Sequence, residues 1–331
     1  MPDESEHHRD IPAGGLAVGV DLGGTNVQIG VVDPAGTILG RSKRKTNADD
    51  GQDTVLDRIA EGIEEACAQA KAPISDLAAI GIGAPGAVDP RAGVVLEAVN
   101  LRWERVALAD ELSKRLGPDV FVDNDVNAAV FGEARLGAGR GATDMIGAWV
   151  GTGVGGGLIL NGRIFYGHFF TAGEIGHIIA HAGNAPSTRS VEHNCSRTTI
   201  VNRLVYLVKA NRKSVLPELV NGKLDKIKSK TIAEAYSQGD ELTREVVHDA
   251  ADRLGVALAG VVTLLSLELV VLGGGLTEAL GKPYVERVAR SIRREVFPAK
   301  VAEHVRVQAS ELEDDAGVIG AGLIALHRLG V

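Results

Sequence analysis

Three glycine-rich segments are the first candidates for chemistry. Each follows an apolar run that is typical of a buried strand, and they are Gly23-Gly24-Thr25, Gly151-Thr152-Gly153 and Gly273-Gly274-Gly275. A glycine turn can direct several backbone N–H groups at one anion, and no Cβ atom keeps that anion away. One such turn alone is more often an ordinary tight turn. Three of them in one chain favour a ligand that carries phosphate.

Two well-known phosphate motifs do not fit these segments. Residues 151–156 match G-x-G-x-x-G, but that dinucleotide fingerprint opens a helix, whereas residues 158–160 are typical of a strand. A P-loop has a glycine five residues before the glycine of its Gly-Lys pair, and the two Gly-Lys pairs here have Pro217 and Leu276 at that position. We therefore predict neither a Rossmann fold nor a P-loop.

Asp125 is the candidate general base. It lies where a predicted strand ends and a predicted helix begins, and functional groups of α/β domains often occupy that position. A carboxylate there could take the proton from an attacking hydroxyl group, which contributes ~10²–10⁴-fold to a rate. The residues alone are equally consistent with a second role, in which Asp125 only caps the helix.

Apolar periodicity predicts the elements that position these residues. The predicted strands are 16–22, 27–33, 78–83, 119–123, 145–150, 158–160, 268–272 and 304–309. The predicted helices are 54–70, 107–116, 125–136, 196–210, 231–237, 242–267, 282–296 and 315–328.

One strand pattern occurs twice in this series. The order apolar strand, glycine turn, apolar strand, Asn or Asp, and Gly appears at 18–36 and again at 146–162, which indicates duplicated α/β domains. We predict a flexible arm at 1–15, a small α/β domain at 16–130 and a larger α/β domain at 131–331. The final helix is expected to pack back on the first domain.

Composition excludes several classes of protein. The chain has 331 residues, and 45 % of them are hydrophobic. Its 42 glycines make up nearly twice the ~7 % share of glycine in average proteins, and they do not recur every third residue. Disorder and collagen are thus excluded. The net charge of −8 gives no general attraction to nucleic acid or anionic lipid. The basic runs 41–45 and 223–230 have no interleaved aromatic residues, so we interpret both as solvated surface.

The expected location is the cytoplasm. Cys67 and Cys195 cannot form a disulfide framework and suit a reducing compartment, and Cys67 lies on a helical apolar stripe that indicates a core residue. The polar N-terminal segment resembles neither a signal nor a transit peptide. The longest apolar stretch, 254–267, is too short to span a bilayer, so no membrane association is expected.

Eight motifs in order resemble the ROK family of sugar kinases over about residues 16–330. They are Asp21-Leu22-Gly23-Gly24-Thr25-Asn26, Gly83-Ala84-Pro85-Gly86, Asn100-Leu101-Arg102-Trp103, Asn124-Asp125-Val126-Asn127-Ala128-Ala129, Gly151-Thr152-Gly153-Val154-Gly155-Gly156-Gly157, Glu174-Ile175-Gly176-His177, Gly273-Gly274-Gly275 and Asp315-Ala316-Gly317. The resemblance implies two duplicated actin/hexokinase-like (ribonuclease H-like) α/β domains around a central cleft, ATP and Mg²⁺ as cofactors, and a hexose as substrate.

The resemblance also implies a choice of activities. Phosphorylation of glucose to glucose 6-phosphate is expected first, because the pairing of Asn-Leu-x-Trp with Glu-x-Gly-His and a downstream Glu is the family's default. A kinase for N-acetylglucosamine, N-acetylmannosamine, fructose or allose is the nearest alternative, and a non-catalytic sugar-sensing regulator is the other. The family's repressors carry an N-terminal DNA-binding module. Only 15 polar residues precede the first strand here, so no nucleic-acid partner is expected. The resemblance also implies a homodimer.

Site roles follow from the same resemblance. The sugar-binding residues implied are Gly83, Gly86, Asn100, Asn124, Asp125, Glu174, His177 and Glu192. The nucleotide-binding residues implied are Asp21, Gly23, Gly24, Thr25, Asn26, Thr152, Gly153, Gly273, Gly274 and Gly275. Asp21 is expected to orient Mg²⁺ through water, since Mg²⁺ retains several waters in proteins. Asp315 is expected only to cap the last helix.

The zinc site of the family is not reproduced. The family holds zinc with the His of its E-x-G-H motif and three cysteines, and the resemblance places those cysteines at Gly183, Ala185 and Ser190. Because zinc needs about four N or S ligands, we predict no structural zinc. Two consequences are open: the loop is held by packing instead, or the sugar specificity has changed. The alternative is a different site built from Glu174, His177, His181, His193 and Cys195.

Overall fold

The computed structural model describes residues 15–330; the arm expected at 1–15 lies, except for Gly15, outside the described residues. The strands are β1 (Ala17–Leu22), β2 (Asn26–Val32), β3 (Ile38–Lys45), β4 (Ala79–Ala84), β5 (Ala87–Asp89), β6 (Val94–Ala98), β7 (Trp103–Val106), β8 (Val120–Asn124), β9 (Met145–Val150), β10 (Val154–Leu160), β11 (Arg163–Ile164), β12 (Leu269–Gly273) and β13 (Arg306–Ala309). The helices are α1 (Gln52–Ala70), α2 (Leu108–Leu116), α3 (Asp125–Leu136), α4 (Glu192–Cys195), α5 (Arg197–Lys209), α6 (Leu216–Leu219), α7 (Ser229–Ser237), α8 (Glu241–Leu265), α9 (Gly275–Leu280), α10 (Lys282–Glu295) and α11 (Ala316–Arg328).

Two five-stranded sheets repeat one topology. Their strand orders are β3-β2-β1-β4-β8 and β11-β10-β9-β12-β13. In each sheet the first three strands form an antiparallel meander, and the last two strands are added in parallel. The duplicated α/β architecture predicted from the repeated strand pattern is therefore confirmed. A separate three-stranded antiparallel sheet has the order β5-β6-β7.

The chain divides into two compact units. Of the described residues, unit 1 holds 15–132, 168–171 and 315–330, and unit 2 holds 133–167 and 172–314. The division falls inside α3, two residues beyond the boundary expected from the sequence. Helix α11, the last element of the chain, clusters with unit 1 and packs on β1, β2 and β4.

The core of unit 1 depends on glycines in its central strands. At Gly19 of β1 an added Cβ would lie 1.8 Å from the carbonyl oxygen of Val318, and at Gly81 of β4 it would lie 1.9 Å from that of Ala321. Both oxygens belong to α11. No side chain fits between strand and helix at these positions, so the two glycines let α11 lie directly on the sheet.

The core of unit 2 is built around the long helix α8. Its buried face carries Val246, Ala250, Leu254 and Leu258, each at most 2 % exposed, and α10 packs along it. These positions are each four residues apart, a spacing that keeps them on one face of an α-helix. None of the helices in residues 15–330 is long and apolar enough to cross a membrane.

Several elements differ from the sequence prediction. The run 41–45 is solvated as expected, but it forms the end of edge strand β3, in which Ser42 is buried between exposed basic residues. The sheet of β5, β6 and β7 was not predicted. The second glycine turn is shorter than predicted, because β10 begins at Val154 and residues 155–157 pair with β9. Hydrogen bonds from a neighbouring strand thus override the low strand propensity of glycine.

Candidate active site

The first glycine turn lies between β1 and β2 in unit 1. Gly23 donates its N–H to the carbonyl of Asn26 at 2.9 Å, which closes the turn. Thr46, fully buried after β3, donates its hydroxyl to the carbonyl of Gly23 at 2.6 Å and its N–H to that of Thr25 at 3.0 Å. Thr46 therefore holds the backbone of the turn. Thr46 was not among the predicted site residues, because the apolar pattern does not predict β3.

A pocket of about 380 Å³ opens beside this turn, within unit 1. Its lining residues are Gly24, Thr25, Lys45, Asn47, Ala48, Asp49, Val99, Asn100 and Arg102. An added Cβ on Gly24 would lie 3.0 Å from the Cβ of Asn100, so the absence of a side chain brings the two residues together. The pocket is thus lined both by the predicted phosphate-binding turn and by Asn100, a predicted sugar-binding residue. It is also lined by two cationic side chains, Lys45 and Arg102, and Arg102 forms an ion pair with Asp49 at 2.7 Å.

Asp125 is the first residue of α3, and Asn124 shares the capping of that helix. The Oδ1 atom of Asn124 accepts hydrogen bonds from the N–H groups of Val126 at 2.9 Å and Asn127 at 3.0 Å. Asp125 also accepts from Val126, through its own Oδ1 at 2.9 Å. Because Asn124 already satisfies two N–H groups at this helix end, capping alone does not account for Asp125.

The loop of residues 83–86 packs against the same turn. The Nδ2 atom of Asn124 donates to the carbonyl of Gly86 at 3.1 Å. An added Cβ on Gly83 would lie 3.1 Å from the Cα of Asp125. Four of the residues predicted to contact the sugar, Gly83, Gly86, Asn124 and Asp125, are thus brought together in unit 1.

Asp21 stands at the end of β1, half-buried against the start of α11. An added Cβ on Gly317 would lie 2.9 Å from the Cγ of Asp21, so only glycine lets the carboxylate take this place. One carboxylate beside a glycine turn fits Mg²⁺, which binds few protein oxygens and keeps waters in its shell. Asp315 makes no side-chain cap on α11, contrary to expectation; it forms a bidentate pair with Arg41 at 2.6 and 2.8 Å instead.

The second glycine turn, in unit 2, is held by the start of α5. Arg197 donates its N–H to the carbonyl of Gly151 at 3.0 Å and its Nη2 to the hydroxyl of Thr152 at 2.7 Å. Thr198 donates its hydroxyl to the carbonyl of Thr152 at 2.7 Å. Arg197 was not among the predicted site residues, since no local pattern in the sequence places α5 against residues 151–153.

Three predicted sugar ligands of unit 2 are close enough to influence one another. Burial raises the pKa of the Glu174 carboxyl group, the charge of Glu192 raises it further, and His177 opposes the shift. Glu192 accepts the N–H of Val154 at 2.9 Å through Oε2, and an added Cβ on Gly153 would lie 2.2 Å from that oxygen. The carboxylate of Glu192 therefore lies directly on the glycine turn.

The third glycine segment joins β12 to α9. Gly273 is buried, and an added Cβ there would lie 2.5 Å from the ring of Trp149, so packing against Trp149 requires this glycine. Gly274 has a φ of 86°, in the left-handed region. Gly275 is exposed and begins α9. The backbone of these last two residues is thus the part of the segment that a ligand can approach.

Main-chain hydrogen bonds close the segment between His177 and Glu192. Ile179 and Ser190 form an antiparallel bridge, the N–H of Ala180 bonds the carbonyl of Arg189 at 2.8 Å, and that of Val191 bonds the carbonyl of Ile178 at 2.9 Å. This small ladder includes Ser190, one of the three positions at which the family resemblance places a zinc-binding cysteine.

The alternative metal site is not assembled. Within residues 15–330 no group of three or more His, Cys, Asp and Glu side chains could hold a metal ion. His193 hydrogen-bonds Ser190 at 2.7 Å and His181 contacts Arg253. Cys195 is fully buried, which raises the pKa of its thiol to about 12. Cys67 is buried in the core of unit 1 as predicted, with a thiol pKa raised to about 11.

Comparisons with known proteins identify the family of this chain. A glucokinase from Thermotoga maritima is 35 % identical over 95 % of this chain and 98 % of its own, and a glucokinase from Halalkalibacterium halodurans is 35 % identical over 92 % and 93 %. The crystal structure of a ROK family glucokinase from Streptomyces griseus, in complex with glucose and AMPPNP, superposes with a TM-score of 0.84 at 33 % identity. It covers 95 % of this chain and 100 % of its own. The profile of the ROK family matches residues 17–328, and the chain belongs to that family.

Proposed function

We propose that this protein transfers the terminal phosphoryl group of ATP to a hexose, with glucose as the preferred substrate and Asp125 as the general base. The observation that carries the proposal is the likeness to glucokinases of similar length, one of which was solved with glucose and an ATP analogue. Asp125 supports it further, because it stands at the start of α3 beside a loop and a turn whose residues can bind hydroxyl groups.

Asp125 is assigned the proton of the attacking hydroxyl. Phosphoryl transfer asks little covalent chemistry of a protein, and positioning of the hydroxyl with stabilisation of charge supplies most of the rate. Asn124 holds the turn that carries Asp125, through its bonds to Gly86 and to the first N–H groups of α3. These bonds hold the backbone of the turn, and the N–H of Val126 bonds Oδ1 of Asp125 itself.

Backbone N–H groups of the two glycine turns are assigned to the phosphates of ATP. Thr46 braces the turn of unit 1, and Arg197 places a cation at the turn of unit 2. Asp21 would hold Mg²⁺ through water, and a bound Mg²⁺ ion neutralises the charge that develops on the transferred group. Gly274 and Gly275 are assigned to the adenosine.

Sugar recognition is assigned to polar side chains. Asn100 in unit 1, and Glu174, His177 and Glu192 in unit 2, can form hydrogen bonds with a ring of hydroxyl groups. A site built on such bonds rejects an analogue that lacks one hydroxyl by up to ~10⁴–10⁵-fold. Kinases for fructose, allose, N-acetylglucosamine or N-acetylmannosamine remain the neighbouring alternatives.

The test is ADP release from ATP measured against a panel of hexoses and N-acetylhexosamines. Glucose is expected to give the highest kcat/KM, and release without sugar is expected to be slow. Equal ADP release with and without every sugar would favour a simple ATPase. A sugar-induced rise in melting temperature without any ADP release would instead favour a sugar-sensing regulator.

Location and assembly are proposed from lesser observations. Two buried, unpaired cysteines suit the reducing conditions of the cytoplasm. The family resemblance favours a homodimer, which light scattering behind a sizing column tests directly: a mass of about 35 kDa would reject it, given the 34.6 kDa chain.

A further inference from the structure

A buried carboxylate lies two residues before the proposed base. Asp123, in β8, is 2 % exposed, and an ionised carboxyl group is strongly disfavoured at such a position unless it is paired and hydrogen-bonded. Its Oδ1 accepts from the N–H of Asn124 at 2.9 Å and from Nδ2 of Asn127 at 3.2 Å. Its Oδ2 accepts from Nη2 of Arg328 at 3.1 Å. Arg328 thus supplies the balancing charge.

The guanidinium group of Arg328 is itself firmly oriented. Arg328 is the last residue of α11 and its side chain is 23 % exposed. Its Nη1 donates to the carbonyl of Pro90 at 2.6 Å, and its Cζ lies 5.8 Å from the centre of the Phe121 ring. The guanidinium group of Arg328 is therefore positioned by Asp123 and Phe121 of β8 and by Pro90 in the turn after β5.

This ion pair is connected to the turn that carries the base. Asp123 holds the N–H of Asn124, whose side chain in turn caps α3 and bonds Gly86. Without Arg328, the buried Oδ2 of Asp123 would lose the cation that donates to it, and such a loss is strongly destabilising, so the backbone at Asn124 would shift or admit water. A displacement of about 1 Å at a reacting group costs on the order of 10²-fold in rate.

We propose that Arg328, through its ion pair with Asp123, is a positioning residue for the general base Asp125. The inference rests on the proposed function of Asp125. It assigns a catalytic consequence to the end of α11, a segment that none of the sequence motifs includes.

The test is steady-state kinetics of Arg328→Met with glucose and ATP. We expect kcat to fall about 10- to 100-fold, with the KM for ATP within about twofold of the wild type, because the residues assigned to the nucleotide are untouched. We also expect the acidic limb of the kcat/KM profile to move to higher pH, since loss of the Arg328 cation increases the net negative charge near Asp125. A partly unfolded preparation would lower kcat and leave that limb in place.

Two further variants keep the result interpretable if Arg328→Met folds poorly. Arg328→Lys retains the charge but not the forked geometry, so its loss in kcat should be smaller, below about tenfold. The double variant Asp123→Asn/Arg328→Met removes both charges and should recover part of the lost kcat, because no buried charge remains.

Arg41→Met is the matched control. Arg41 pairs with Asp315 at the other end of α11, and its side chain is 56 % exposed. Its removal should leave kcat within about twofold and the acidic limb unchanged, because an exposed pair contributes little and lies away from Asp123.

The outcomes separate this inference from the proposed function. A folded Arg328→Met with normal kcat, a loss no larger than that of Arg41→Met, or a change confined to KM would each overturn the positioning role. A wild-type protein without sugar-dependent ADP release, or an Asp125→Asn variant with normal kcat, would overturn the proposed function instead.

Discussion

Single residues of this protein combine structural and chemical roles that their sequence positions do not separate. Asn124 and Asp125 are neighbours in one motif, yet the side chain of Asn124 bonds Gly86 and two N–H groups of α3. Glu192 likewise accepts a hydrogen bond from the N–H of Val154 through one carboxylate oxygen. A hydrogen bond to the backbone orients a side chain and leaves its remaining acceptor sites for a ligand.

Removal of the base is the most direct test at this scale. Asp125→Asn is expected to lower kcat by ~10²-fold or more, since an amide cannot accept the hydroxyl proton. The shift in melting temperature that glucose produces should persist, because the shape of the side chain is kept. Stopped or coupled assays of ADP release give the first quantity and thermal unfolding gives the second. A kcat within threefold of the wild type would remove the assignment.

Arg197 is the residue expected to act on the nucleotide. Arg197→Ala should raise the KM for ATP about tenfold and leave the KM for glucose nearly unchanged, since one charge-assisted hydrogen bond contributes ~1.5–3 kcal/mol. Arg189→Ala, another arginine of unit 2, is the comparison. Initial rates over a range of ATP concentrations measure the effect, and an unchanged KM for ATP would show that Arg197 only braces Thr152.

At the scale of elements, neighbouring strands and helices decide what each segment becomes. Strand β3 exists because β2 lies beside it, although half of its own residues are basic. The segment 178–191 closes through a short main-chain ladder, where the family's pattern has zinc ligands. Asp252 of α8 links this helix to α10. It accepts hydrogen bonds from Nε of Arg287 at 2.7 Å and from the hydroxyl of Ser291 at 2.8 Å, both on α10.

Stability across the interface of α8 and α10 should depend on pH. The hydrogen bond from Arg287 holds the pKa of Asp252 below its usual value of ~3.9. A carboxyl group whose pKa is lowered by folding stabilises the protein above its unfolded pKa, and this contribution is lost as pH falls through the folded value. Asp252→Asn should therefore lower the free energy of unfolding by about 1 kcal/mol at pH 7, after allowance for solvent screening.

Urea unfolding at a series of pH values from 7 down to about 2.5 measures this difference. It should stay constant down to about pH 5 and shrink below about pH 4, because the carboxyl group of the unfolded chain takes up a proton before that of the folded protein. Glu303→Gln changes an exposed carboxylate of unit 2 and serves as the control, with little effect at any pH. A difference that stays constant over the series would show that Asp252 acts by packing alone.

At the scale of the whole molecule, the sequence by itself determined the α/β class, the duplication and the family. Apolar strands with glycine turns recur at 18–36 and 146–162, and the two sheets share one topology. These features are local, since a few consecutive residues carry each of them. The helices 125–136 and 282–296 were predictable for the same reason, and the structure has them at 125–136 and 282–295.

Only the tertiary structure decided which residues support the candidate site. The glycine turns are held from a distance along the chain, by Thr46 in unit 1 and by Arg197 in unit 2. Asp123 is adjacent to the turn of Asp125, but its partner Arg328 is 205 residues away. The same holds for Gly273, which packing against Trp149 explains. Such contacts depend on how strands pair and where helices pack, and no local pattern of residue types records that. The sequence located the chemistry, and long-range packing decided what holds it in position.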